Sequence, residues 1–343
     1  MINLLIYGGY HHDYIYSNHL AEGFLDVDNI NTFPLLIDND IRNISKKRNH
    51  YLPPIRKIKK YLKQSIVQNK ITHIVNYNTN HFTCSLIDYL KETYNLKISA
   101  YFNDSPFSSH FSKIIYYQNQ KKALTKYDFV FVYRNEDKEK IIRKFDFEKS
   151  FVKVVPPSCP EKRYLKCFNG SKDFKFDFAF LGHYESDGRL EVIRELISRG
   201  YRCLVVGLKW PANLRNLTNI NNSIIQNKNI NYVEYLTLLS KAYVNLGFLS
   251  SINNDSYTRR YFECPFSNSL FLAYESKVYK ELNNNMPNIF FVNTKIPSIQ
   301  DCVKALYISK ESNHYPSQEQ KNNFYLKNSI SRRVKIFDEF LRI

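Results

Sequence analysis

Two runs of strand-length apolar segments alternate with amphipathic helical stretches, and a segment that neither helix nor sheet can hold divides them. This pattern predicts an α/β protein of two Rossmann-like domains, each a doubly wound parallel sheet, facing across a cleft. Length agrees, since 343 residues exceed one compact core and suit two domains of ordinary size. The supply of core residues is ample, at 43% apolar with 27 Tyr and 25 Phe.

The first run opens with a buried strand over 2–7, and Gly8-Gly9 makes the tight turn into a helix over 17–24. A strand over 72–77, a helix over 85–94, a strand over 97–102, a helix over 113–124 and a strand over 127–133 follow. The divider is Pro156-Pro157-Ser158-Cys159-Pro160, in which three of five residues lack an amide donor. Beyond it come strands over 176–181, 202–206, 244–249, 270–273 and 288–292, with helices over 189–199, 232–242, 260–268 and 299–307. The expected domains are 1–155 and 156–323, with a last helix within 324–343 packing back toward the first.

A formal charge of +17 and a pI near 9.4 predict attraction to anions. The segment 46–63 concentrates eight cations among Tyr51, Leu52, Ile55, Ile58, Tyr61 and Leu62, which suits either docking on an anionic membrane surface or an ordinary solvated helix face. Elsewhere the basic residues are spread along the chain without a recognised nucleic-acid motif, so no nucleic acid is expected as a partner. The start of the chain lacks a basic leader and no apolar run reaches about 20 residues, so a soluble, cytoplasmic protein is expected, able to touch the inner membrane face. The six cysteines show no CxxC pair and read as buried small hydrophobes. Asp38-Asn39-Asp40 reads as a solvated loop, so no metal is expected. The GxGxxG fingerprint of a dinucleotide site is missing.

Chemistry concentrates in Ser256-Tyr257-Thr258-Arg259-Arg260-Tyr261-Phe262-Glu263-Cys264-Pro265. Two guanidinium groups and a carboxylate there follow a strand, at the sheet edge where phosphorylated nucleosides bind. Arg259 and Arg260 are adjacent and diverge by about 100° on a helix, so one of them faces a ligand. Tyr257 and Thr258 offer hydroxyl donors or serve the turn. Gly182-His183 opens the first loop of the second domain and Arg189 closes it, a setting for an anion. Lys209-Trp210 follows the next strand, where Trp210 serves as base platform or as packing. In the first domain His12, Asp13 and Asp104 fall at strand ends and are candidates for a general base.

These residues carry a family resemblance. Phe178-Ala179-Phe180-Leu181-Gly182 with Arg189, Val205-Val206-Gly207, Tyr243-Val244-Asn245-Leu246, the 257–265 run, Phe271-Leu272-Ala273 and Arg332-Arg333 resemble the GT-B glycosyltransferases of group 1, especially the CgeB-like, spore-maturation type; Ala100 to Pro106 resembles the strand-end Asp-x-Pro segment of their first domain. The resemblance implies a nucleotide-sugar donor in the second domain and a glycan or lipid-linked acceptor in the first, as in bacterial surface polysaccharide or lipopolysaccharide synthesis. It implies that Glu263 accepts the ribose hydroxyls and that Arg259 or Arg260 meets the diphosphate, without a metal cofactor. One departure stands out: the retaining branch carries a Glu seven residues before the ribose-binding one, and this chain has Ser256. The alternatives are a catalytically silent relative that binds nucleotide or glycan as a scaffold and, further off, a basic nucleic-acid-binding protein.

Overall fold

The computed structural model describes residues 1–9, 16–25, 27–37, 39–47, 53–108, 111–168, 174–253, 255–283, 285–311 and 314–343. His12, Asp13, Asp38 and residues 48–52 of the basic segment therefore lie outside the described residues. The chain divides into two units, Met1–Pro156 with Ile330–Ile343, and Pro157–Ser329.

In the first unit β1 (Ile2–Tyr7), β2 (Ile30–Leu35), β3 (His73–Tyr77), β4 (Lys97–Phe102), β5 (Phe129–Val132) and β6 (Val152–Val154) form a sheet ordered β2-β1-β3-β4-β5-β6, every pair parallel. The order reverses between β1 and β3, which puts a ligand-sized crevice beyond their carboxyl ends in folds of this type. Alternation sends Leu5 and Tyr7 of β1 to one face, against Ile58, Leu62 and Ile66 of the helix Ile55–Asn69. Leu4 and Ile6 go to the other, against Leu20, Phe24, Phe337 and Phe340. Each such burial stabilises by roughly 1.5–3 kcal/mol, which is why β1 reads as apolar on both faces from Leu4 to Tyr7. Local signals then set the helix ends: Thr83 accepts the Leu86 amide (3.3 Å) at the start of Cys84–Tyr94, and Asn95 closes it in the left-handed region.

The second unit holds β7 (Phe176–Leu181), β8 (Cys203–Val206), β9 (Ile224–Gln226), β10 (Ala242–Gly247), β11 (Leu270–Tyr274) and β12 (Ile289–Val292), ordered β12-β11-β10-β7-β8-β9 and again parallel. Counted from β7, this is the 6-5-4-1-2-3 order of the dinucleotide-binding folds, with the switch point between β7 and β10. The α/β fold of two parallel-sheet domains is thus present.

Asn39 and Asp40, expected in a solvated loop, instead open the helix Asn39–Lys47, where Asp40 in the first turn suits the helix dipole. Three further differences from the expected elements have physical reasons. β2, β6 and β9 were not anticipated, because β2 is a half-exposed edge strand containing Pro34 and the other two span three residues each. The helix expected over 260–268 is only Arg260–Glu263, followed by a 3₁₀ turn over Cys264–Phe266 that accommodates Pro265. The last helix is broken: Gln318–Asn328 ends where Ser329 turns extended (ψ 158°), and Ile330–Val334 begins anew in the first unit. Asn328 helps to end it by turning its side-chain amide onto the Leu282 and Phe324 carbonyls.

Among the described residues no helix is long and apolar enough to cross a membrane.

Candidate functional site

At the β7/β10 switch point of the second unit, β7 ends in Leu181-Gly182 and the 256–263 segment folds back onto it. Gly182 is required by contact: a Cβ there would lie 2.8 Å from the Phe180 ring and 2.9 Å from Arg260 Nη2. Gly207 is tighter, since a Cβ would meet the Gly182 carbonyl oxygen at 2.0 Å. Small residues therefore let the loops after β7 and β8 touch. Trp210 resolves as packing, 2% exposed, with its ring against Phe180 and Tyr184 and its Nε1–H donating to the Gly182 carbonyl (3.1 Å).

Three arginines converge here with three different fates. Arg189 is buried and donates from Nε to Asp187 Oδ1 (2.7 Å) and from Nη2 to Asp187 Oδ2 (2.5 Å), a two-point pair. It also donates to the His183 carbonyl (2.7 Å) and the Leu249 carbonyl (3.2 Å), so it stitches the loops after β7 and β10 together. Arg259 donates from Nε to Glu263 Oε1 (2.8 Å) and lies over the Tyr232 ring. Burial draws its guanidinium down to about 10, with the pull of Glu263 acting the other way. Arg260 stacks on Phe180 (4.7 Å to the ring centroid) and donates to the Leu181 carbonyl. It makes no ion pair among the described residues, and its Nε is buried without a hydrogen-bond partner.

Glu263 is 1% exposed and its carboxylate is engaged from three sides. Tyr232 Oη donates to Oε1 (2.9 Å), Tyr235 Oη donates to Oε2 (2.8 Å), and Arg259 completes the set. Burial and then the Glu263 charge push the Tyr235 phenol well above its ordinary range, so it remains a donor. Tyr257 is buried, its ring edge-on to Phe262. Thr258 Oγ1 and Ser256 Oγ are buried without hydrogen-bond partners among the described residues, two orphaned hydroxyls two and four residues before Arg260. His183, exposed at the loop surface, accepts the Leu208 amide at Nδ1 (2.9 Å), and partial desolvation, reinforced by the Lys209 charge, lowers its pKa. Lys209 is exposed, with φ 69°.

The structure thus brings Arg189, Gly182, His183, Lys209, Tyr257, Thr258, Arg259, Arg260 and Glu263 to one sheet edge. The partners Asp187, Tyr232 and Tyr235 were missed from sequence. Asp187 carried a signal, two residues before Arg189; the tyrosines lie 31 and 28 residues before Glu263 and had none.

At the corresponding edge of the first unit the described residues form a network of neutral hydrogen-bonding groups, with one carboxylate, Asp104, after β4. Tyr7 Oη and His81 Nδ1 are 2.7 Å apart and buried. Asn76 donates to the Thr79 carbonyl (3.2 Å) and to Tyr127 Oη (2.9 Å), and Tyr117 donates to Asn78 Oδ1 (2.9 Å). Asp104 follows β4, half-buried, and its charge adds to the burial that raises the Tyr117 phenol. Nearby, Arg134 donates to the Asn103 carbonyl (3.1 Å) and faces Asp137 (3.7 Å). Among the described residues no group of His, Cys, Asp or Glu is placed to hold a metal ion.

The class these two sheets define is the GT-B fold. Over 99% of each chain the protein is similar to a glycosyltransferase from Rickettsia africae (TM-score 0.66, 13% identity) and to a UDP-forming α,α-trehalose-phosphate synthase from Burkholderia vietnamiensis (TM-score 0.65, 11% identity). It is also similar, over the whole of both chains, to a UDP-GlcNAc 2-epimerase from Neisseria meningitidis bound to UDP-GlcNAc (TM-score 0.58, 10% identity). No family model and no curated protein matches the sequence.

Proposed function

We propose that this protein is a glycosyltransferase that takes a sugar from a nucleoside diphosphate and holds the diphosphate with Arg260. The observation that carries the reading is the inequality among the three arginines: Arg189 and Arg259 are matched by carboxylates, and Arg260 is not. A partly buried cation without an anion is unfavourable until a ligand supplies one. The diphosphate needs that cation most as the glycosidic bond breaks and charge builds on the leaving group, and a guanidinium fixed on Phe180 meets it without reorganising. Such an arrangement performs the neutralisation without a metal. Thr258 and Ser256 lie close by in sequence with hydroxyls that lack partners.

The sugar-nucleotide enzymes among the similar folds make UDP the first nucleotide to test. The acceptor is proposed to be a glycan or lipid-linked saccharide of a bacterial surface polysaccharide, bound by the first unit, with Asp104, Asp13 and His12 as candidates for a general base. Support for a lipid-linked acceptor comes from the helix Ile55–Asn69, which carries Arg56, Lys57, Lys60 and Lys63 at its exposed surface and no carboxylate. Each such charge near an anionic bilayer contributes about 1 kcal/mol.

A second reading, a nucleotide- or glycan-binding scaffold without turnover, is favoured by Glu263, whose oxygens are already engaged by three donors. Calorimetry against UDP, GDP, ADP, dTDP and CMP, followed by assay of sugar release from the corresponding nucleotide sugars, separates the two. Binding with turnover supports the transferase, binding without turnover the scaffold, and failure of all five nucleotides to bind rejects both as nucleotide-based readings.

A further inference from the structure

A pocket of about 330 Å³ lies on the flank of the first unit, between the edge strand β2 and the helix Ile55–Asn69. Its volume is near the lower end of small-ligand sites, roughly 300–1,000 Å³. No charged residue lines it, although 24% of the chain is charged and Arg56, Lys57, Lys60 and Lys63 share the same helix. Phosphate or carboxylate ligands are therefore poorly served there.

The lining offers two other kinds of group. Phe33 and Tyr61 provide ring surface, and Tyr61 is held in place by donating to the Leu36 carbonyl (3.0 Å). The carboxamides of Gln64 and Gln68 make no hydrogen bond among the described residues, and each presents donors and an acceptor. An extended peptide is disfavoured as occupant. Gly8 donates to the Leu35 carbonyl (3.1 Å), so residue 35 turns its backbone groups toward β1 and, by alternation, residue 34 turns them to the open edge. That residue is Pro34, which has no N–H to give an added strand.

We propose that this pocket is a non-catalytic binding site for a neutral carbohydrate. A sugar fits both kinds of group: its hydroxyls are at once donors and acceptors, matching carboxamides without leaving a charge, and its C–H face lies against an aromatic ring. The inference rests on the proposed glycosyl transfer only for its purpose, retaining a glycan acceptor on the first unit; the binding itself does not depend on that reading.

The test is titration of the full chain with chitobiose, cellobiose and maltotriose, followed by saturation-transfer NMR and calorimetry, with UDP titrated in parallel. Gln64 and Gln68 are exposed, so Gln64→Ala/Gln68→Ala is expected to fold, and Ser65→Trp fills the pocket as an independent block. One of the three sugars is expected to bind, about tenfold or more weakly in the double variant and not detectably in Ser65→Trp, with UDP affinity unchanged in both. Sugar binding that survives both substitutions, or no binding of any of the three, overturns the proposal. Failure of UDP to bind while the sugar does would reject the nucleotide reading and leave this site standing.

Discussion

The two switch points differ in how their charge is balanced. Among the described residues of the first unit, the edge beyond β1 and β3 holds hydrogen-bonded phenols, carboxamides and an imidazole, with Asp104 after β4, and the nearby cation Arg134 faces Asp137. In the second unit three guanidinium groups meet at one edge, two are balanced by carboxylates, and among the described residues Arg260 has only carbonyl and ring partners. Two parallel sheets with related topology thus differ in the charge left unmatched at their edges among the described residues. Neutral polar groups suit hydroxyl-bearing substrates, whereas an unmatched cation calls for an anion.

The largest effect is expected where the comparison depends on balance. Glu263→Ala removes the carboxylate paired with the largely buried Arg259 side chain and the acceptor of the Tyr232 and Tyr235 hydroxyls, and should cost about 3–5 kcal/mol in denaturant unfolding of the second unit. A loss below about 1 kcal/mol would show that Glu263 is free to serve a ligand.

Next in size is an acid response of the first unit. His73 is buried edge-on to Phe340, and burial, aided by Lys97, lowers its pKa to about 4 from 6.5. Between these values the unfolded chain binds a proton that the folded one refuses, so stability is complete above pH 6.5 and falls as pH drops toward 4, by at most roughly 3 kcal/mol. His73→Phe should remove that slope; an unchanged pH profile in the variant would assign the acid sensitivity elsewhere.

Smaller again is Trp210→Phe, which keeps the ring packing and deletes the hydrogen bond to the Gly182 carbonyl. It should cost about 1 kcal/mol by thermal unfolding and leave nucleotide affinity intact. A large loss of affinity with unchanged stability would instead make Trp210 part of the binding surface.

Strands buried on both faces were legible in sequence: β1, β4 and β7 have the expected bounds, because a predominantly apolar stretch of strand length has few other fates in an alternating pattern. Edge strands were not, since β2 is half-exposed and carries Pro34. The 256–265 run marked the place of the site, and adjacency on a helix implied that Arg259 and Arg260 point apart. Which one is unmatched was not legible, because Tyr232 and Tyr235, with Glu263, form around Arg259 a network built from residues distant in sequence. Nor could Arg189 be read correctly from its loop position alone, where an anion site and a structural tie look alike until Asp187 is seen on its guanidinium.

Arg260 as the cation kept for a ligand phosphate, the role proposed above, stands or falls on calorimetric titration of UDP into the native chain and Arg260→Ala. Measurable binding to the native chain is expected, with a loss of about ten- to a hundredfold in the variant, the range of one charge-assisted hydrogen-bonded contact, and little change in stability. Equal affinity in the two chains would rule that role out.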